Sequence, residues 1–137
     1  MAVEIVRIDE GNMERLTDIA PEVFDYVIDA RFLSRFCASH ESLLYVAIAD
    51  GAVVGQARAY VHLQPDSPDQ LYIDNLGVTP AWRRRGVATR LVRALLDEGA
   101  ARGCEQIWLA TESDNAEARG FYRSLGLFES EVVMFAN

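Results

Sequence analysis

The sequence predicts an α/β fold on a mixed, mostly antiparallel sheet, with elements in the order β-α-α-β-β-β-α-β-α-β. Three observations carry this. Asp50-Gly51 stands between two apolar, β-branched runs and signals a hairpin. Helical periodicity appears from Gly86 to Ala101 and again from Asn115 to Leu125. Helices alternate with strands only in the C-terminal half, which confines the helical crossovers to that half.

The elements follow in order. Val3 to Ile8 is rich in β-branched residues and reads as a strand. Asn12 can cap a helix starting at Met13, with Met13, Leu16 and Ala20 along one face. Pro21 interrupts that helix or begins a second one as its first residue, with Val23, Phe24, Val27 and Ile28 as the apolar stripe. Residues 33–41 read as a loop. Leu43 to Ala49 and Ala52 to Leu63 are the hairpin strands, followed by the turn-rich stretch Gln64 to Asp69. Leu71 to Val78 is a strand. Gly86 to Ala101 is a helix whose face carries Val87, Leu91 and Leu95, with Ala88, Val92 and Leu96 beside them. Gln106 to Thr111 is a strand, Asn115 to Leu125 a helix ending at Gly126, and Glu131 to Phe135 a last strand.

A chain of 137 residues has the length of one domain, 1–137, and buries roughly 68% of its unfolded surface on folding. No apolar run is long enough to span a membrane, and the N-terminus lacks the layout of a secretory signal. Cys37 and Cys104 are too far apart for a metal knuckle or a redox pair, so buried thiols in a reducing cytoplasm are expected, with no metal. The net charge of −8 argues against nucleic acid and anionic membranes as partners. It is unevenly placed: residues 1–74 carry 13 acids and 5 Arg, and residues 75–137 carry 8 of each. The acidic half is either a solvated face or the approach for a cationic ligand. All 13 basic residues are Arg.

Arg83-Arg84-Arg85-Gly86 precedes the helix of Val87. Cations at a helix N-terminus oppose the macrodipole, at about 0.3–1 kcal/mol per charge. A bound anion removes the conflict, because free N–H groups and guanidinium groups then share one partner. Gly86 lets such an anion approach the backbone. The chain has no G-x-x-x-x-G-K-[ST], nor a G-x-G-x-x-G after a strand, so a pyrophosphate-bearing cofactor fits better than the other phosphate loops.

At these residues the chain resembles the GCN5-related N-acetyltransferases (GNAT). Arg83, Gly86 and Ala88, following Ile73-Asp74-Asn75-Leu76-Gly77-Val78, match that family's R-x-x-G-x-A acetyl-CoA motif. Asn115-Ala116-Glu117-Ala118-Arg119-Gly120-Phe121-Tyr122-Arg123-Ser124-Leu125-Gly126 is similar to its N-x-x-A-x-x-F-Y-x-x-L-G helix. The resemblance covers nearly the whole chain and implies a sheet with helices on both faces and a splayed central strand. It implies acetyl-CoA as cosubstrate, its pyrophosphate on the backbone of Arg84, Arg85, Gly86, Val87, Ala88 and Thr89. The pantetheine arm would pair along Leu76, Gly77 and Val78, where an amide also meets the thioester oxygen. Arg83 either lies nearest the pyrophosphate or braces the loop.

Asn115 is explained as a helix N-cap, and by resemblance also touches the pantetheine arm. Phe121 and Tyr122 fall on the apolar face of their helix. By resemblance Tyr122 protonates the leaving thiolate, and an ordinary tyrosine pKa of about 10 keeps it protonated for that role. The implied reaction is direct attack by a primary amine, with neither cysteine as nucleophile and much of the acceleration from proximity. Asp74 is the only carboxylate of its strand and the proposed base, or it is an ordinary surface acid. Relatives often carry a Glu elsewhere in this strand, where Tyr72 or a neighbour stands here.

Within the family, the centre of the chain looks most like the aminoglycoside 3-N-acetyltransferases, in Val53-Val54-Gly55, Ala59-Tyr60-Val61, Leu71-Tyr72-Ile73 and Arg84 to Thr89. Those relatives have Asp before Leu-Ala-Val, where this chain has Asn75-Leu76-Gly77-Val78. The expected acceptor is a small cationic amine, an aminoglycoside among the candidates. The alternatives are a protein or peptide N-acetyltransferase and a non-catalytic coenzyme A sensor. Glu22, Asp25 and Asp29 share one side of the expected second helix. Gln56, Arg58, Tyr60 and His62 share one side of their strand, and both sets are candidate acceptor walls or solvated faces. Family habit adds a homodimer through Glu131 to Phe135.

Overall fold

The computed structural model describes residues 2–137. Five strands, β1 (Glu4–Arg7), β2 (Ser42–Ala49), β3 (Ala52–His62), β4 (Gln70–Val78) and β5 (Gln106–Trp108), form one sheet in the order β1-β2-β3-β4-β5. The first three pairings are antiparallel and β4–β5 is parallel. Three α-helices, α1 (Ala30–Ala38), α2 (Val87–Ala101) and α3 (Ala116–Ser124), complete the fold.

The β2–β3 hairpin forms as its turn residues dictate. Asp50 and Gly51 both have positive φ, 52° and 78°, the combination that matches the twist of paired strands. Alternation along β2 then splits the core. Leu43, Ala47 and Ala49 face a cluster built with Val87, Leu91, Val92 and Leu95 of α2. Leu44 and Val46 face a second cluster with Ile8, Leu16 and Val23, onto which Leu33 and Phe36 of α1 pack. Both faces of the sheet are therefore covered, by α2 on one side and α1 on the other.

The N-terminal third departs from the expected two helices. Asn12 makes no cap; its side chain accepts from the Asp9 N–H and donates to the Arg7 carbonyl, a local turn that outcompetes a helix start. Only a 3-10 turn, Met13–Arg15, forms. The chain then bridges to β3: Val53 donates to the Asp18 carbonyl and Ala20 to the Val53 carbonyl, both at 2.9 Å. Pro21 starts no helix, because Glu22 takes a left-handed φ of 67°. The expected apolar stripe is split, with Val23 1% and Val27 96% exposed. Helix α1 begins later, capped by Asp29, whose carboxylate accepts from the Arg31 N–H at 2.8 Å. It occupies most of the stretch expected to be a loop.

The C-terminal half follows the sequence reading with two corrections. β5 stops at Trp108 rather than Thr111, and Glu131 to Phe135 forms no strand. A strand needs a neighbour to satisfy its backbone, and among the described residues that segment pairs with no strand. β5 pairs only with Gln70, Leu71 and Tyr72 of β4. Beyond Tyr72 the two strands part, so Ile73 to Val78 present an edge of β4 that β5 does not pair.

Candidate functional site

The parting of β4 and β5 opens a cleft of about 920 Å³. One wall is β4 from Ile73 to Val78; the other is Ala110, Thr111 and the first turns of α3. Its floor is the turn into α2, and Glu22, Phe24 and Asp25 close it from the side.

Local chemistry shapes the floor. Gly86 sits at the N-cap of α2 with φ 80°, and no side chain caps the helix. The first α-helical bond into the turn is from Arg90 N–H to the Gly86 carbonyl, so the N–H groups of the first turn, from Val87 to Thr89, have no helical partner. A Cβ built on Gly86 would meet nothing within 4 Å, so the approach to those N–H groups is open. Arg84 also has a left-handed φ, 62°, a strain of about 1–2 kcal/mol for a residue with a side chain.

The sequence-predicted cofactor residues converge here with one exception. Leu76, Gly77, Val78, Arg83, Arg84, Gly86, Val87, Ala88, Thr89, Asn115, Phe121 and Tyr122 all line the cleft. Arg85 does not; its guanidinium lies 4.9 Å from the centre of the ring of Trp82, itself a lining residue, in a cation–π contact. Arg83 braces the turn, donating from Nε to the Val78 carbonyl at 2.9 Å and pairing with Glu22 at 3.5 Å. Asn115 caps α3, its Oδ1 accepting from the Ala118 N–H at 3.0 Å. Trp82 is not named from sequence, and Phe24 and Thr111 read only as part of a helix stripe and a strand end, since nothing local in the chain marks them as cleft residues.

Tyr122 is half-buried, edge-on to the Phe121 ring at 5.1 Å. Burial pushes its phenol above the usual tyrosine value. Asp74 lines the cleft and also a second cavity of about 430 Å³, with Phe36, Arg58, Tyr60 and Tyr72. Arg58 Nε lies 3.0 Å from Asp74 Oδ1. The polar stripe of β3 therefore divides: Arg58 and Tyr60 reach this cavity, Gln56 is fully buried, and His62 faces solvent. Glu22 and Asp25 reach the large cleft, whereas Asp29 is occupied as the α1 cap and does not. Cys37 and Cys104 are free thiols outside both cavities, each pushed up first by burial.

The model of the acetyltransferase (GNAT) family matches residues 13–127. The chain belongs to the GNAT family.

Among curated relatives, the GNAT chain is 30% identical over 95 residues to the aminoglycoside N(6′)-acetyltransferase type 1 of Salmonella typhimurium. The match spans 66% of this chain and 66% of that protein, just under two thirds of its length. Over 64 residues it is 36% identical to the ribosomal protein bS18-alanine N-acetyltransferase of the same organism, 47% of this chain and 43% of that one. A solved structure of AAC(6′)-Iy in complex with a coenzyme A bisubstrate analogue superposes with a TM-score of 0.85 at 22% identity, over 100% of this chain and 98% of that one. The fold is thus the GNAT fold. The aminoglycoside relatives named here carry the N(6′) designation, which corrects the 3-N subclass suggested by the central strands. Among the described residues, no helix is long and apolar enough to cross a membrane.

Proposed function

We propose that this chain is an acetyl-CoA-dependent N-acetyltransferase that moves acetyl directly onto a primary amine of a small cationic acceptor, an aminoglycoside of the N(6′) type being the first candidate. The observation that carries this reading is one cleft in which an unpaired strand edge, free helix N–H groups and a half-buried tyrosine face one another. The residues fit the cosubstrate. The first turn of α2 would take the pyrophosphate, with Arg84 and Gly86 at its approach. The edge of Leu76 to Val78 would pair the pantetheine arm as an added strand.

The thioester supplies an activated acetyl group, and the protein has to place the amine against it. Glu22, Asp25 and Asp74 put carboxylates along the acceptor side, which attract a cationic amine. Asp74 is the proposed base that takes the amine's proton, directly or through water. Tyr122 is the proposed acid, its phenol kept neutral by burial. A second reading, acetylation of a protein N-terminus, draws on the bS18-alanine relative. A homodimer is also proposed: Val132, Val133, Met134 and Phe135 are 79–92% exposed, an apolar run that a second copy would cover.

The deciding experiment is thiol release from acetyl-CoA against aminoglycosides, polyamines, amino acids and short peptides, with an enzyme-only blank because two thiols are free. Turnover on cationic small amines is the expected result. Turnover confined to peptides would move the assignment to the second reading. Coenzyme binding without release on any acceptor would overturn both readings and leave a coenzyme sensor.

A further inference from the structure

A buried amide costs stability unless it finds partners, and Gln56, 0% exposed, finds them in a fixed direction. Its Nε2 donates to the Val23 carbonyl at 3.0 Å and to Asn75 Oδ1 at 2.5 Å. Asn75 Nδ2 in turn donates to Asp25 Oδ2 at 3.2 Å. Carbonyl and carboxylate oxygens only accept, so Gln56 must turn its NH2 to Val23, and Asn75 must show its oxygen to Gln56 and its NH2 to Asp25. That orientation leaves Gln56 Oε1 buried with no partner. An aspartate at position 75 could not close the chain without setting two carboxylates side by side.

Two further contacts seat the same segment. A Cβ on Gly77 would overlap the Val23 carbonyl oxygen, so only glycine lets residues 22–23 lie directly on β4. Glu22, held in its left-handed conformation, pairs with Arg83. The result is a stretch of irregular backbone held firmly against the cleft.

Four carboxylates line that cleft: Glu22, Asp25, Asp74 and Glu117. Arg83 matches Glu22 and Arg58 matches Asp74. Glu117 lies in the first turn of α3, where the helix dipole favours it. Among the described residues Asp25 has no cation within ion-pair distance, only the Asn75 amide. An amide donor positions a carboxylate without neutralising it, and so leaves its charge for a ligand.

We propose that Asp25 is the specificity-determining carboxylate of the acceptor site, binding a second ammonium group of a polyamine-like acceptor, with Gln56 and Asn75 as its positioning residues. This deepens the transferase reading and rests on it for the identity of the reacting amine. It is tested by calorimetric titration of 1,5-diaminopentane and of pentylamine into the coenzyme A-loaded protein, where no acetyl is present to transfer. The wild type is expected to bind the diamine at least about tenfold tighter, the scale of one charge-assisted hydrogen bond. Asp25→Asn should abolish that preference and leave coenzyme binding unchanged. Asn75→Ala should lower the preference in part, and should add nothing in the Asp25→Asn background, because the two act through one group. A wild type without the preference, or a preference that survives Asp25→Asn, overturns the assignment. Thiol release is measured separately with acetyl-CoA and both amines. No release with these or with any acceptor of the aminoglycoside, polyamine, amino-acid and peptide panel, with the diamine preference intact, would sink the transferase reading while leaving Asp25 as an ammonium-binding group.

Discussion

Asp74 is the residue of β4 that has no counterpart on β3, and Arg58 holds its carboxylate. Asn75 pairs with Arg58 and Ile73 with Ala59, so the strand bulges at the residue between them. A bulge re-aims the side chain it carries. Here it sends the Asp74 carboxylate onto Arg58 Nε, 3.0 and 3.2 Å from its two oxygens, at the place where both cavities meet.

Asp74→Asn keeps the size of the side chain and removes its capacity to take a proton. If Asp74 is the base, kcat should fall by about 10²-fold or more. Stability should change by less than about 1 kcal/mol, because the ion pair lost is about a third exposed to water. Steady-state kinetics and a urea melt on the same protein check both halves. A loss of turnover under about threefold would remove Asp74 from the mechanism.

Tyr122→Phe should leave coenzyme affinity within about twofold and lower kcat by about 10²-fold, the loss of a general acid. Burial raises the phenol's pKa, so it stays protonated beyond the ordinary value of about 10. The rate profile of the wild type should therefore show no tyrosine limb below about pH 10. Turnover in Tyr122→Phe equal to wild type would mean that another group or water protonates the thiolate.

Gly77→Ala probes the seat of residues 22–23. The added methyl would strike backbone, which cannot rotate away as a side chain does. The expected loss is about 1–3 kcal/mol of unfolding free energy, the range for overpacking, read from the urea midpoint. An unchanged midpoint would show that the segment shifts off β4 at little cost.

Glu98 links α2 to β1 and β2. Arg102 bonds its carboxylate at 3.0 Å, Arg7 lies 3.9 Å away, and the Tyr45 hydroxyl donates to it at 3.3 Å. The Arg102 hydrogen bond, chief among these, holds the Glu98 carboxyl below its usual value of 4.5. A depressed carboxylate contributes stability that is fully present above the unfolded pKa and is lost as pH falls through the folded one. Glu98→Gln should therefore flatten the fall of Tm below about pH 4.5, the usual Glu value. Parallel Tm curves for the two proteins would count against this.

Local signals carried the chain from the β2–β3 hairpin onward. Asp50-Gly51 specified its turn by dihedral preference, Asn115 its helix start by a reach of three residues, and Gly86 the open end of α2. The cleft lining proposed to hold the coenzyme was legible for the same reason: its residues lie in two short stretches whose contacts are close in sequence. The N-terminal third was not legible. Its periodic apolar residues suited a helix, but Ile19 bridges to Val53 and the Val23 carbonyl takes the Gln56 amide, partners 33 or more positions away. Glu131 to Phe135 had strand composition without an edge to pair with. Sequence alone thus determined the hairpin turn, the Asn115 cap and the open turn into α2, whose free energies arise within a few residues. Tertiary structure decided the carboxylate side of the cleft, because Asp25 is held there by Asn75, 50 positions on, and such a contact leaves no period in the chain.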